Sequence, residues 1–156
     1  MLLTHHTAHL LYGAVVAGSV LAVSSVHADN TTHVAVAAAS VTIIYWLAHV
    51  YVDAIGDRFR DNDRPMLRRI LDAMKEAYEV LVGAVPPIAV FMVARLFGAD
   101  VKVAAEIALW FTVGLLVLAG AGAAYLAGVR GAALVAEALL SGSFGVLVIL
   151  LKYLLH

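Results

Sequence analysis

The sequence predicts an all-α integral membrane protein: five transmembrane helices, with an amphipathic cytoplasmic helix between the second and the third. Three observations carry that prediction. Hydrophobic residues make up 63% of the 156 and charged ones only 13%, and the mean hydropathy is +0.96. Soluble domains sit near about 45–50% apolar and about a quarter charged, so the excess here needs lipid as its solvent. The apolar residues also fall in stretches close to the ~20 residues that cross a hydrocarbon layer. Finally, most of the cations are gathered in one polar insert rather than spread along the chain.

The first stretch covers residues 10–28, which contain no Lys, Arg, Asp or Glu before the polar Asp29-Asn30-Thr31-Thr32. Reading residues 1–28 as a cleaved leader, with Val26-His27-Ala28 as its small-residue end, conflicts with a start that has no Lys or Arg. The second span covers 34–52 and ends near Trp46 and Tyr51, side chains suited to a membrane–water boundary. Residues 53–78 form the insert. Asp57-Arg58-Phe59-Arg60-Asp61-Asn62-Asp63 reads as a solvated turn, and Asp63 can cap a helix with Pro65 in its first turn. Leu67, Ile70, Leu71 and Met74 then share one face, with Arg68, Arg69, Asp72, Lys75 and Glu76 opposite. That pattern suits a helix lying in the interface, and equally a solvated helix packed on its neighbours. Residues 80–97, 103–129 and 131–151 supply the remaining spans. The whole chain, 1–156, reads as one transmembrane domain, since no Pro/Ser/Gly-rich linker divides it.

Short loops rich in Lys and Arg stay on the cytoplasmic side. The insert holds Arg58, Arg60, Arg64, Arg68, Arg69 and Lys75, which places it and the N-terminus inside and the C-terminus outside, in a cell membrane. The expected surroundings are therefore the bilayer. A net charge of −1 gives no basic field for nucleic acid. The absence of cysteine excludes disulfides, thiolate metal sites and cysteine nucleophiles. No enzyme pattern is present, because Gly142-Ser143 and Gly145 lack the spacing and preceding strand of a nucleophile elbow.

Ionisable groups within spans are costly, about 2.5–3.5 kcal/mol at a helix centre, and so mark the first candidates for function. Glu137 lies about two turns into the fifth span and is the candidate proton or ion relay. Glu106 lies about one turn into the fourth, four residues after Lys102, a spacing that suits a structural ion pair. Pro86 and Pro87, preceded by Gly83, remove two backbone donors and predict a break near the middle of the third span. Ser141-Gly142-Ser143 and Gly145 mark a second weak point at similar depth, and paired interruptions of this kind point to midplane sites in transporters. A kink used only for packing is the competing reading.

His49, Asp53 and Asp57 recur at i, i+4 and i+8, giving an imidazole and two carboxylates on one face. Such ligands suit Fe²⁺, Mn²⁺ or Zn²⁺ as a transported substrate. Glu76 and Glu79, with Asp72, form a further acidic stripe that Lys75 and nearby arginines can equally neutralise. His5, His6 and His9 precede the first span and read more simply as an exposed tract than as ligands. Gly13, Gly18 and the Ala119–Ala124 run, which includes Gly120 and Gly122, allow helices to approach closely, within one copy or between two.

This layout resembles the vacuolar iron transporter family and its bacterial relatives. The resemblance rests on span order, on the insert, on Val82-Gly83-Ala84-Val85-Pro86-Pro87, and on the Gly128-Val129-Arg130-Gly131 turn. It also rests on Leu47-Ala48-His49-Val50-Tyr51-Val52-Asp53, with Val50 where the family has Glu. It implies a five-span, homodimeric transporter of divalent cations with metal ligands in the insert. The sequence departs from the family in its first span, where Gly13-Ala14-Val15 lacks the signature Asp, and in an insert poorer in Glu. The expectation is a small transporter-like protein, exchanging a divalent metal ion such as iron or manganese against protons. A non-transporting membrane scaffold is the alternative.

Overall fold

The computed structural model describes residues 2–27, 30–60 and 65–154, with side chains described for all of these except 2–8, 27, 57–60, 144, 148, 151 and 152. Five α-helices account for nearly all of it: α1 Leu2–His27, α2 Thr31–Arg60, α3 Met66–Leu96, α4 Val101–Leu126 and α5 Ala132–Leu154. Four of them, α1 to α4, are long and apolar enough to cross a membrane, and α5 carries a shorter apolar run over Ala132–Leu147.

The helix ends follow from local chemistry. Asn30 starts α2: its side-chain oxygen accepts the Thr32 N–H at 2.9 Å, and its carbonyl accepts that of Val34. Both α3 and α4 stop at a glycine with positive φ, Gly98 at 87° and Gly128 at 86°. After α3, the Ala99 N–H returns to the Ala94 carbonyl and Gly98 to Arg95. After α4, Val129 returns to Ala124 and Gly128 to Tyr125. A side chain at either glycine would be strained, so these two positions set where the chain turns.

The helix expected after Pro65 forms and runs without a break into the third span as the start of α3. Helix α2 continues to Arg60, beyond the expected end of its span, so the helix of the insert packs on a neighbour and the insert is the tip of a helical hairpin. Val50, Ala54, Ala73 and Ala77 close it, with Trp46, Ile70 and Met74 packed around them. Small side chains at i, i+4 on both helices let the hairpin stay tight beyond the apolar spans. Pro65 occupies the N-cap position of α3 rather than its first turn. Asp63, the expected cap, lies outside the described residues.

Pro86 and Pro87 do not break α3, which runs through them to Leu96. The two missing N–H groups leave carbonyls one turn earlier without their helical donors, yet the chain stays helical because α1 holds it. At Gly83 a Cβ would run into the main-chain carbonyl of Leu10, and at Gly13 into that of Val80. The two backbones touch, which only glycine at both positions permits. Likewise α5 is continuous across Ser141-Gly142-Ser143, whose expected weak point is a packing surface. Ser141 sits against Gly120, Gly142 against Val117 and Gly145 against Val113.

The main core joins α1 through α4 around Leu21, Val34, Ala38, Phe91 and the alanines 104, 105 and 108. Helix α5 leans on α4 and barely reaches α1.

Candidate functional site

Antiparallel and parallel pairings set a common height scale across the bundle. Arg95 on α3 donates its Nε–H to the Thr31 hydroxyl on α2 at 2.8 Å, and an Nη1–H to the Ala99 carbonyl. These contacts mark one end. His9 on α1, His49 on α2 and Glu76 on α3 meet at the other. Thr31 and His49 are 18 residues apart, and Glu76 and Arg95 are 19. At 1.5 Å per residue both separations come to about 27–29 Å. That is close to the ~30 Å of a hydrocarbon layer, so two polar layers stand one bilayer apart. The helices between them expose large apolar side chains such as Ile44, Val85, Val93, Leu118 and Leu147.

The His49 end is the richer in chemistry. Tyr45, His49 and Asp53 share one face of α2 because they recur every four residues. His49 Nε2 lies 3.9 Å from Asp53 Oδ2, both side chains partly exposed at 26% and 37%. The Tyr45 ring stacks on His49 with centroids 6.0 Å apart and planes 25° apart. From α1, the His9 ring meets His49 edge to face at 5.0 Å and 86°. The other side of His9 faces α3, where Nδ1 is 3.4 Å from the Glu76 carbonyl. His9 therefore joins three helices.

The expected ligands divide here. His49 and Asp53 come together as predicted. Glu76 contributes its main-chain carbonyl while its side chain is exposed, and Glu79 is buried on α3 at 6% exposure. The Asp57 side chain lies outside those described. Among the described residues, no three His, Asp or Glu side chains are grouped so as to hold a metal ion. His9, read from sequence as part of an exposed tract, is the residue the site adds. Arg69, nearer the hairpin tip on α3, is a separate buried cation. It is 8% exposed, and among the described residues its Nε and Nη1 have no hydrogen-bond acceptor.

The other candidates lie apart. Glu106 receives the Tyr153 hydroxyl of α5 at 3.2 Å, near the Arg95 end, while Lys102 is exposed. Pro87 is buried and Pro86 exposed along α3. Glu137 is exposed on α5, with its carbonyl near Gly120 of α4. The pairing of α4 with α1, Gly18 against Thr112 and Ala22 with Leu109, puts Gly120 close to the height of His9. Glu137 therefore belongs to the same polar layer, on the outside of the bundle. Arg130 does not turn toward it. Its guanidinium covers the Tyr125 ring at 3.8 Å and donates to the Tyr125 and Val129 carbonyls. Deeper in the bundle, the buried hydroxyls of Ser25, Thr42 and Thr112 donate to carbonyls of their own helices.

Fold and site together define an all-helical bundle with four helices of membrane-crossing length and a titratable layer at one end. No protein-family model, curated protein or solved structure matches the chain.

Proposed function

We propose that this is a five-span, transporter-like membrane protein that exchanges a divalent cation, iron, manganese or zinc, against protons. The His49–Asp53 pair takes up the cation at the cytoplasmic mouth and Glu137 serves as the relay. What supports this reading is the His49–Asp53 pair, with the His9 ring against it, at one end of the apolar helices. Imidazole and carboxylate must shed protons to bind a metal, which couples the two ions chemically. The positive-inside bias supports a cell-membrane orientation with this end and the N-terminus on the cytoplasmic side. The resemblance to vacuolar iron transporters supports the same reading and adds a homodimer.

The test is Fe²⁺ and Mn²⁺ uptake into proteoliposomes under a proton gradient, comparing the parent chain with a His49→Ala/Asp53→Ala double variant and with Glu137→Gln. Uptake lost in both variants supports the assignment. Equal uptake in Glu137→Gln removes the relay, and uptake no higher than in empty liposomes rejects transport.

A second reading, a non-transporting module that holds partners within the bilayer, is favoured by two specific features. Helix α3 passes its proline pair without opening, and the buried hydroxyls of Ser25, Thr42 and Thr112 are satisfied by their own helices. Stoichiometric metal retained by the purified protein speaks for the first reading, and none for the second.

A further inference from the structure

We propose that a groove on the outer side of α2 and α3 binds one phospholipid with a primary-amine headgroup, a phosphatidylethanolamine, independent of whether a cation is moved. Trp46 of α2 and Leu71, Met74, Lys75 and Tyr78 of α3 line a groove of about 430 Å³. The α3 residues recur at i, i+3, i+4 and i+7, so they form one stripe along the helix. Helix α1 packs on a different face of α3, through Val80 and Gly83. Leu71, Lys75 and Tyr78 are exposed, so the groove opens away from the bundle.

Two features select the occupant. The first is an acceptor missing from the chain. Trp46 Nε1–H is buried, and among the described residues nothing accepts it. A buried indole N–H ordinarily has a partner. Trp46 lies three residues inside His49 along α2, and Tyr78 two residues inside Glu76 along α3, where the apolar stretch begins. That is the depth of aromatic side chains at a membrane boundary, and the ester carbonyls of a lipid's glycerol are the acceptors available there.

The second feature is the pattern of charge. Outward from Tyr78, Lys75 and Asp72 follow at steps of three residues, about 4.5 Å each along the axis. Lys75 Nζ stands 4.0 Å from Asp72 Oδ1, with both side chains more than half exposed. A pair so open to water contributes little to stability, so each member can turn to a ligand. The exposed Arg68, Asp72, Lys75 and Glu76 alternate in sign and sum to no net charge. A purely anionic headgroup gains little from such a surface, whereas a zwitterion matches it. Its phosphate, next to the glycerol, meets Lys75, and its ammonium, two carbons further out, meets Asp72. An unsubstituted ammonium donates charge-assisted hydrogen bonds to that carboxylate, and the three methyl groups of a choline prevent them.

The chain has two tryptophans, so Trp110→Phe, at an exposed position on α4, leaves Trp46 as the single reporter. In this background, quenching of Trp46 fluorescence is compared in phosphatidylcholine vesicles holding equal fractions of brominated phosphatidylethanolamine, phosphatidylcholine or phosphatidylglycerol. The proposal expects an apparent affinity about two- to fivefold higher for the ethanolamine lipid than for either other, the scale of an exposed ion pair. Asp72→Asn should bring the ethanolamine lipid down to the choline lipid, and Lys75→Gln should reduce the advantage as well. Both variants alter exposed side chains and leave the packing of the hairpin in place. Equal quenching by the three lipids, stronger quenching by phosphatidylglycerol, or an ethanolamine advantage that survives Asp72→Asn overturns the proposal.

Discussion

The two ends of the bundle are held by opposite kinds of contact. At the Arg95 end a guanidinium ties α3 to the start of α2 and to the turn after α3, and the Tyr153 hydroxyl joins α5 to α4 through Glu106. At the His49 end the ties are two imidazoles, a carboxylate at 3.9 Å and a carbonyl at 3.4 Å. What differs is the kind of tie. The Arg95 end is joined by side-chain hydrogen bonds from a guanidinium and a phenol, the His49 end by ring contacts and a longer imidazole–carboxylate approach.

The sharpest test of that division is steric. If the bundle is locked just inside the His49 layer by the α1–α3 crossing, Gly83→Leu should be the most damaging change. The added side chain meets the Leu10 carbonyl, a backbone atom that cannot swing aside. We expect a loss of about 3 kcal/mol or more, read from thermal unfolding in detergent. A tolerant Gly83 would mean the crossing is looser than the backbone contact implies.

Arg95→Gln comes next. It removes the bonds to Thr31 and Ala99, for an expected loss of about 1–3 kcal/mol. A loss well below that would blur the contrast between the ends. His49→Ala should cost about 1 kcal/mol in the same unfolding measurement, through its lost ring contacts with His9 and Tyr45. The smallest effect should have the opposite sign. Gly114 on α4 has no atom within 4 Å of an added Cβ, so Gly114→Ala should stabilise by about 0.5–1 kcal/mol.

Much of the helical framework was legible because apolar runs of membrane length have few other solutions. The turns after α3 and α4 were legible as gaps between those runs, and Gly98 and Gly128 explain their positions. In the insert, the helix after Pro65 was legible from the spacing of Leu67, Ile70, Leu71 and Met74. The continuation of α2 to Arg60 was not, because Val50 and Ala54 are held by Ala73 and Ala77 of α3, a tertiary contact. The Pro86-Pro87 break was misread for a related reason. Local chemistry weakens α3 there, but the Gly13–Gly83 contact with α1 is a tertiary feature that spacing along one helix does not reveal. In the site, the four-residue spacing of His49 and Asp53 was enough to bring them together. His9 was not legible as their neighbour, because its contact depends on how α1 docks against α2. Glu106 shows the same limit, its Tyr153 bond coming from a helix 47 residues away in sequence.

The central structural claim is that the His49 and Arg95 layers lie on opposite faces of a bilayer. Single cysteines at Val52, Phe111 and Lys102, placed in this cysteine-free chain and probed in sealed, oriented vesicles with a membrane-impermeant maleimide, test it most directly. The account predicts that Val52→Cys reacts from one side only and Lys102→Cys from the other only. Phe111→Cys, midway along α4, should stay unreactive until detergent is added. Labelling of Val52→Cys and Lys102→Cys from the same side, or rapid labelling of Phe111→Cys in intact vesicles, would contradict it.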